Sequence, residues 1–150
     1  MDSMDDELEL AYLAGFFDGE GCVNIQEYIY PPTANRSGTA WRLRIQIGNT
    51  CPDVFPLFVR RFGGSLRMQK RHGNRKQQWV WTAAANDASN ALLLMLPYLV
   101  VKCRQAELGL DFQSDMGKSP QLTNNQIIGR RALKEALGIL NGKGRITDDV

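Results

Sequence analysis

Two carboxylates near residue 20 are the first feature of this sequence that suggests chemistry. Asp18 and Glu20 follow an apolar stretch that begins at Leu13, and glycines separate and flank them. The stretch is typical of a helix, and the C-terminal end of a helix carries a partial negative charge. Two acids at that end are therefore unfavourable unless a cation or another requirement offsets their repulsion.

The glycines around these acids also have a regular spacing. Gly15 and Gly19 lie four residues apart, so they occupy one face of the helix. A helix without side chains on one face allows a second backbone to come very close, which predicts a tight helix–helix contact. If the contact joins two copies of the chain, it brings two Glu20 residues together. Gly21 is predicted to end the helix in the left-handed conformation.

Hydrophobic periodicity predicts the elements that position these residues. The predicted helices cover about residues 4–19, 52–62, 86–96, 98–113 and 123–140, and the predicted strands about residues 22–30, 40–49, 66–71 and 78–82. The order α-β-β-α-β-β-α, with additional C-terminal helices, favours an α+β fold with an antiparallel sheet. We expect a single domain over residues 1–150, with a frayed tail from Asn141.

Alternation within the two hairpins places polar and apolar side chains on opposite faces of the sheet, although Glu27 interrupts the apolar side. The polar face carries Arg, Lys, Asn, Gln and Tyr, and the first four types read base edges in the major groove. The alternative is an ordinary solvated face, in which we would expect Glu, Thr and Lys to be mixed in. We predict contacts with double-stranded DNA from Asn24, Gln26, Tyr28, Tyr30, Arg42, Arg44, Gln46, Arg67, Gln69, Arg71, Lys76 and Gln78.

The charge distribution points to the same partner. The net charge is only +2, but residues 1–20 carry seven acids and no bases, whereas residues 36–76 carry ten Lys and Arg against one acid. A charge run is usually a solvated face, but so strong an excess of bases predicts a surface that binds a polyanion.

Several other kinds of chemistry are disfavoured by what the chain lacks. His72 is the only histidine and lies at a predicted hairpin tip, while Cys22, Cys51 and Cys103 are too widely spaced for a zinc site. This argues against nucleophilic triads, zinc hydrolysis and histidine-based nucleases. No nucleotide-binding loop, membrane span or signal segment is recognised, so we expect an intracellular protein without a small-molecule cofactor. Hydrolysis would then need a carboxylate and a hard divalent cation, usually Mg²⁺.

Residues 13–21, LAGFFDGEG, resemble the motif of the LAGLIDADG homing endonucleases, and the single copy resembles the homodimeric branch of that family. The context strengthens the resemblance, because Tyr12 precedes the motif and a hairpin follows it. Residues 97–102, PYLVVK, with Gln105 and Ala106, also resemble the family's Pro-aromatic-Leu, Lys and Gln-Ala segment. The resemblance covers roughly residues 8–112.

This resemblance implies a homodimeric, divalent-metal-dependent DNA endonuclease that makes double-strand breaks at a long, near-palindromic target. The motif helices of two subunits would pack at the dimer axis, here through Leu13, Gly15, Phe16 and Gly19. Glu20 would bind metal at each scissile phosphate, with the Gly19 carbonyl as a second ligand. Mg²⁺ is the expected metal, and Mn²⁺ or Ca²⁺ could occupy the same site.

The resemblance also implies roles for three other residues. Asn49, at the end of the second strand, would order water around the metals, and Lys102 would stabilise charge near the phosphate or polarise solvent. Asp18 would hold the backbone at the end of the helix. Without the resemblance, Glu20 could be a solvated acid, Lys102 a surface lysine and Asn49 a cap for the following helix.

Two other functions remain open on the same scaffold. One is an RNA maturase that binds intron RNA, and the other is a DNA-binding regulator that does not cleave. The presence of Glu20 and Lys102 favours an enzyme over both.

Overall fold

A computed structural model describes residues 3–33, 38–116 and 123–142. The elements are α1 (Ser3–Glu20), β1 (Gly21–Ile29), β2 (Thr39–Asn49), α2 (Phe55–Phe62), β3 (Ser65–Gln69), β4 (Gln78–Ala84), α3 (Ala85–Met95), a short 3₁₀ helix (Leu96–Tyr98), α4 (Cys103–Ser114) and α5 (Asn124–Leu140). The predicted order of helices and strands is confirmed, and so is the α+β class. Most of the predicted tail, residues 143–150, lies outside the described residues.

The four strands form one antiparallel sheet in the order β1-β2-β4-β3. Its apolar face includes Leu43, Ile45, Ile47 and Trp81, which are fully buried beneath the helices. Period-two alternation in each strand produces this separation, since neighbouring side chains point to opposite faces. The helices therefore cover one side of the sheet and leave the polar side uncovered.

Aromatic packing fixes α2 on this core. The Phe58 ring lies 4.9 Å from the Trp81 ring and 6.1 Å from the Phe16 ring, measured between centroids. The Trp81 indole N–H donates a 2.9 Å hydrogen bond to the Gly63 carbonyl, so this buried polar group is satisfied. Because Phe16 contacts α2 in this way, part of its surface is already used within the protomer.

Two of the ten bases counted in residues 36–76 lie in α2 and pair with acids of α1. Arg61 contacts Asp6 at 2.6 Å and Glu9 at 3.0 Å, and Arg60 contacts Glu9 at 2.8 Å. The hydrogen bond and the charge of Arg61 hold the pKa of Asp6 below its usual range, and hydrogen bonds from Arg60 and Arg61 do the same for the pKa of Glu9. Arg60 and Arg61 are therefore paired with Asp6 and Glu9 of α1, which offsets much of their charge toward a polyanion.

Helix α5 covers the outer edge of β1 and explains the acid on the apolar side of that strand. Glu27 is nearly buried and pairs with Arg131 at 3.1 Å and with Lys134 at 3.7 Å. Asn141, just after α5, donates a 2.8 Å hydrogen bond from its side chain to the Val23 carbonyl. Edge strands expose unpaired backbone groups, and this contact satisfies one of them.

Three local predictions are wrong. Gly21 does not adopt the left-handed conformation, because α1 continues directly into β1; a Cβ atom at this position would overlap the Phe17 ring. Helix α2 begins at Phe55, since Pro52 lies in a preceding turn, where its carbonyl accepts from the Phe55 N–H. Helix α4 begins at Cys103, because the chain between the 3₁₀ helix and α4 is held by Asp18 instead of forming a helix.

Candidate nucleic-acid interface and metal site

The polar face of the sheet is continuous across all four strands. Cross-strand partners on this face include Gln26 with Arg42, Asn24 with Arg44, and Gln69 with Gln78. No acid occupies this face in the four strands. Of the twelve residues predicted to contact DNA, Tyr30, Arg71 and Lys76 lie in the connections beyond the strand ends, and the following nine lie on the face: Asn24, Gln26, Tyr28, Arg42, Arg44, Gln46, Arg67, Gln69 and Gln78.

The junction between α1 and α4 is held by the carboxylate of Asp18. Its oxygens accept hydrogen bonds from the backbone N–H groups of Val100 at 2.8 Å, Val101 at 3.0 Å and Lys102 at 2.9 Å. These groups directly precede and begin α4, where N–H groups have no partner within the helix. Asp18 was predicted to hold the backbone at the end of α1, whereas its carboxylate holds the backbone that leads into α4.

The side chain of Lys102 makes a second contact across the same junction. Its ammonium donates a 2.8 Å hydrogen bond to the Asp18 carbonyl, one of the last carbonyls of α1. A cation at this position offsets the partial negative charge of the helix end. Burial on its own raises the pKa of the Asp18 carboxyl, but the N–H bonds from Lys102, Val100 and Val101, together with the Lys102 charge, outweigh burial and lower the pKa.

We expect Asp18→Asn to lower the free energy of unfolding by about 1.5–3 kcal/mol at pH 7, because an amide accepts these hydrogen bonds less strongly than a carboxylate and presents N–H groups of its own. The folded-state pKa of Asp18 lies below that of the unfolded chain. Its stabilisation is therefore complete well above about pH 3.9 and is lost as the pH falls through the folded value. Urea unfolding of both proteins between pH 7 and pH 2.5 measures the difference.

The difference between wild type and Asp18→Asn should shrink as the solution becomes more acidic than the unfolded pKa. Asp5→Asn is a suitable control, since Asp5 is exposed in the first turn of α1 and has no partner among the described residues. A difference of the same size at pH 7 and pH 2.5 would show that the Asp18 charge does not hold the junction.

Glu20 ends α1 and is followed at once by β1. Its side chain is exposed and has no hydrogen-bond or ion-pair partner among the described residues, and Gly19 is exposed beside it. The described part of one protomer holds no group of three or more potential metal ligands. Mg²⁺ is commonly held by one or two carboxylates together with substrate phosphate oxygens, so a free carboxylate here fits a site that a phosphate-containing substrate completes.

Asn49 ends β2 and is half-buried. Its side-chain oxygen accepts a 2.9 Å hydrogen bond from the Cys51 N–H, which holds the turn that follows the strand. It lines a hollow of about 340 Å³ together with Tyr12 and Phe16 of α1. The turn uses one of the two lone pairs of the Asn49 oxygen, so the second lone pair and the amide nitrogen are left for other contacts.

One face of α1 is exposed and largely apolar. Leu8 and Tyr12 are 63% and 60% exposed, and Gly15 and Gly19 continue the same face at spacings of three and four residues. A Cβ atom added at Gly15 or Gly19 would meet nothing within 4 Å in the described part of the protomer. The packing within the described part of the chain therefore does not explain these glycines.

Leu13 does not belong to this face. It is fully buried in the core beneath the sheet, so its predicted place at a dimer interface is corrected. Leu13 and Gly15 point to different sides of the helix because they are two residues apart. Leu13 therefore packs in the core between the helices and the sheet. Val100 and Val101, which the sequence analysis did not assign to a surface contact, are 82% and 68% exposed beside the end of α1. The sequence feature that could have indicated this exposed contact is the pair of consecutive apolar residues directly before Lys102.

No family model matches this sequence, and no curated protein does. Among solved structures, the chain is similar to the homing endonuclease I-CvuI in complex with the I-CreI target, with a TM-score of 0.72 and 23% identity over 91% of this chain and 83% of that one. The chain has the LAGLIDADG homing endonuclease fold. The archaeal intron-encoded homing endonuclease I-Vdi141I, complexed with DNA, shares this fold with a TM-score of 0.73 and 18% identity over 96% of this chain and 91% of that one.

A third structure with the LAGLIDADG fold is I-SmaMI bound to cleaved DNA, with a TM-score of 0.69 and 21% identity. The match covers 91% of this chain but only 45% of I-SmaMI. I-CvuI has also been solved with its own target in the presence of Ca²⁺. None of the described helices is both long enough and apolar enough to cross a bilayer.

Proposed function

We propose that this protein is a homodimeric, divalent-metal-dependent DNA endonuclease of the homing type, which makes a double-strand break at a long, near-palindromic site. The observation that carries the proposal is the arrangement at the end of α1. There the free carboxylate of Glu20 stands where the helix enters the first strand of the polar face. Lys102 is bonded to the same helix end, two residues before Glu20.

The polar face is the surface that contacts DNA. β2 has eleven residues and is roughly 36 Å long at about 3.3 Å per residue. At about 3.4 Å per base pair, one protomer therefore follows roughly ten base pairs of the major groove. Arg, Asn and Gln side chains on this face match base edges, and the absence of acids avoids repulsion from phosphates.

Two protomers meet through the exposed face of α1. An isologous contact repeats the same patch on both copies, so Gly15 and Gly19 of one helix face the same glycines of the other. Leu8, Tyr12 and the neighbouring Val101 supply apolar area that is unusual on a free surface. The two-fold axis explains why a near-palindromic target is expected.

The site at the helix end acts on phosphate. Glu20 and the Gly19 carbonyl would hold a divalent cation, which would supply water activation and charge neutralisation at the phosphate. Lys102 stabilises the negative charge that develops on the phosphate oxygens. Asn49, through its side-chain amide group, orients solvent. The residues that the structure describes supply no activated nucleophile, and the only histidine of the sequence, His72, is exposed at a hairpin turn.

Replacing Lys102 by methionine should slow single-turnover cleavage by about 10²-fold, the cost of losing one group that stabilises transition-state charge. DNA affinity should change by less than a few-fold, because the Asp18 carboxylate still holds the backbone of the junction. Lys76→Met is the matched comparison, since Lys76 is exposed near the tip of the β3–β4 hairpin. That change should weaken binding and reduce its salt dependence without slowing cleavage of bound DNA. Equal effects of both changes on the cleavage step would contradict the role of Lys102.

The proposed function is tested by selecting bound duplexes from a random DNA library and then incubating the enriched site with the protein in Mg²⁺ or in EDTA. Cleavage of both strands in Mg²⁺ alone supports the endonuclease. Binding of a specific site with no cleavage in Mg²⁺, Mn²⁺ or Ca²⁺ would instead support the regulator. Intron RNA splicing that does not respond to replacement of Glu20 would support the maturase.

A further inference from the structure

Gln26 and Arg42 face each other across β1 and β2 on the polar face and are joined in the free protein. The Gln26 side-chain oxygen accepts hydrogen bonds from Arg42 Nε at 3.2 Å and Arg42 Nη2 at 3.0 Å. A side-chain amide oxygen has two lone pairs, so this acceptor is fully used. The guanidinium is therefore held before any DNA arrives.

The bonds to Gln26 leave the outer edge of the Arg42 guanidinium available. Arginine has five N–H donors, and the two bonds to Gln26 leave the second N–H of Nη2 and both N–H groups of Nη1. A pair of donors on this edge matches the O6 and N7 acceptors that guanine presents in the major groove. The two side chains also line a concavity of about 480 Å³ on the sheet, shared with Tyr28.

The same bonds prevent Gln26 from recognising adenine. Bidentate recognition of adenine requires the amide oxygen to accept from the N6 amino group while the amide nitrogen donates to N7. The Gln26 oxygen could do this only by giving up at least one of its two bonds to Arg42. Gln26 is therefore a positioning residue for Arg42, although its residue type alone suggests that it reads adenine.

We propose that Arg42, oriented by Gln26, recognises a guanine at one defined position in each half of the target site. The inference rests on the proposed function, because it assumes that the polar face lies in the major groove. The inference goes beyond the proposed function in two ways. It names the base at one position of the target, and it names the residue pair that selects this base.

A second amide–arginine pair on the same two strands can be compared with Gln26 and Arg42. Asn24 and Arg44 are also cross-strand partners, yet they form no hydrogen bond with each other. The Asn24 side-chain oxygen and Arg44 Nε are both buried, with no partner among the described residues. An amide next to an arginine is thus not enough to orient it, and truncation of Asn24 is a matched control for truncation of Gln26.

The inference is tested by selecting bound duplexes from a random library in EDTA, so that the readout is binding alone. Wild-type protein should enrich a guanine by about ten-fold or more over other bases at one position of each half-site. Arg42→Ala identifies that position by abolishing the guanine preference, and adenine should become favoured there because the Gln26 oxygen is released. Gln26→Ala should reduce the guanine preference several-fold, since Arg42 must then be ordered on binding. Gln26→Glu should retain the preference, because a carboxylate still holds the guanidinium.

Asn24→Ala should leave this position unchanged. The assignment is overturned if Arg42→Ala alters no guanine position, if Gln26→Ala leaves the preference intact, or if wild type selects an adenine that Gln26→Glu abolishes. It is also overturned if Asn24→Ala acts as strongly as Gln26→Ala at that position. A library with no enriched sequence overturns both this inference and the proposed function, whereas a defined site without the guanine overturns only the inference.

Discussion

Replacing Glu20 by glutamine is expected to slow DNA cleavage about 10³-fold while leaving target binding within a few-fold of wild type. The amide keeps the size of the side chain but removes the one free carboxylate at the end of α1. Divalent metal contributes several kcal/mol to phosphoryl chemistry, and each 1.4 kcal/mol corresponds to about a ten-fold change in rate. Single-turnover cleavage in Mg²⁺ and gel-shift binding in Ca²⁺ separate the two effects.

Glu7→Gln is the matched control for this experiment. Glu7 is an exposed acid on the same helix, far from its C-terminal end at Glu20, and it has no partner among the described residues. The Glu7 variant should cleave at the wild-type rate. Folding is checked by thermal unfolding, and the Glu20 variant should be no less stable, because Glu20 makes no described contact that the amide would lose. Near-normal cleavage by Glu20→Gln would exclude Glu20 as the metal ligand.

Replacing Gly15 by leucine should have opposite effects on the protomer and on the dimer. Nothing in the described protomer lies within 4 Å of a Cβ atom at Gly15, and leucine favours a helix over glycine by roughly 0.8 kcal/mol. The protomer should therefore be as stable as wild type or more so. In a glycine-faced contact, overpacking costs about 1–3 kcal/mol per inserted side chain, and two-fold symmetry inserts two. The dimer dissociation constant should rise by roughly 30-fold or more, measured by sedimentation equilibrium.

Gly129→Leu distinguishes loss of the dimer from a general effect of the substitution. Gly129 is also exposed on a helix, α5, with nothing within 4 Å of an added Cβ. This variant should gain stability and remain dimeric. Cleavage should fall together with dimer content in Gly15→Leu and remain normal in Gly129→Leu. If Gly15→Leu forms dimers as tightly as wild type, α1 is not the contact between protomers.

The order of elements and the two faces of the sheet could be predicted because they depend on local patterns. A strand with alternating Arg42, Leu43, Arg44 and Ile45 separates polar from apolar side chains whatever lies around it. The capping box of α5 was equally local: the Thr123 side chain accepts from the Gln126 N–H, and the Gln126 side chain accepts from the Thr123 N–H. Such signals involve residues a few positions apart, so they are visible before folding.

Several of the errors and omissions involve partners that are distant along the chain. The excess of bases in residues 36–76 included Arg60 and Arg61, which contact acids about fifty residues earlier. Glu27 interrupted an apolar side because its partners, Arg131 and Lys134, lie on a helix about a hundred residues later. No local rule could assign either contact, since both depend on how helices pack against the sheet.

The sequence by itself determined the motif, the carboxylates at a helix end, the order of elements and the polar types on one face of each strand. These features follow from side-chain type and from periods of two and 3.6 residues, which need no tertiary information. Only the tertiary structure decided that Asp18 holds the backbone before α4, that Leu13 lies in the core, and that Gln26 is committed to Arg42. The physical reason is that a hydrogen bond or a buried contact exists only once packing has brought its two partners within reach.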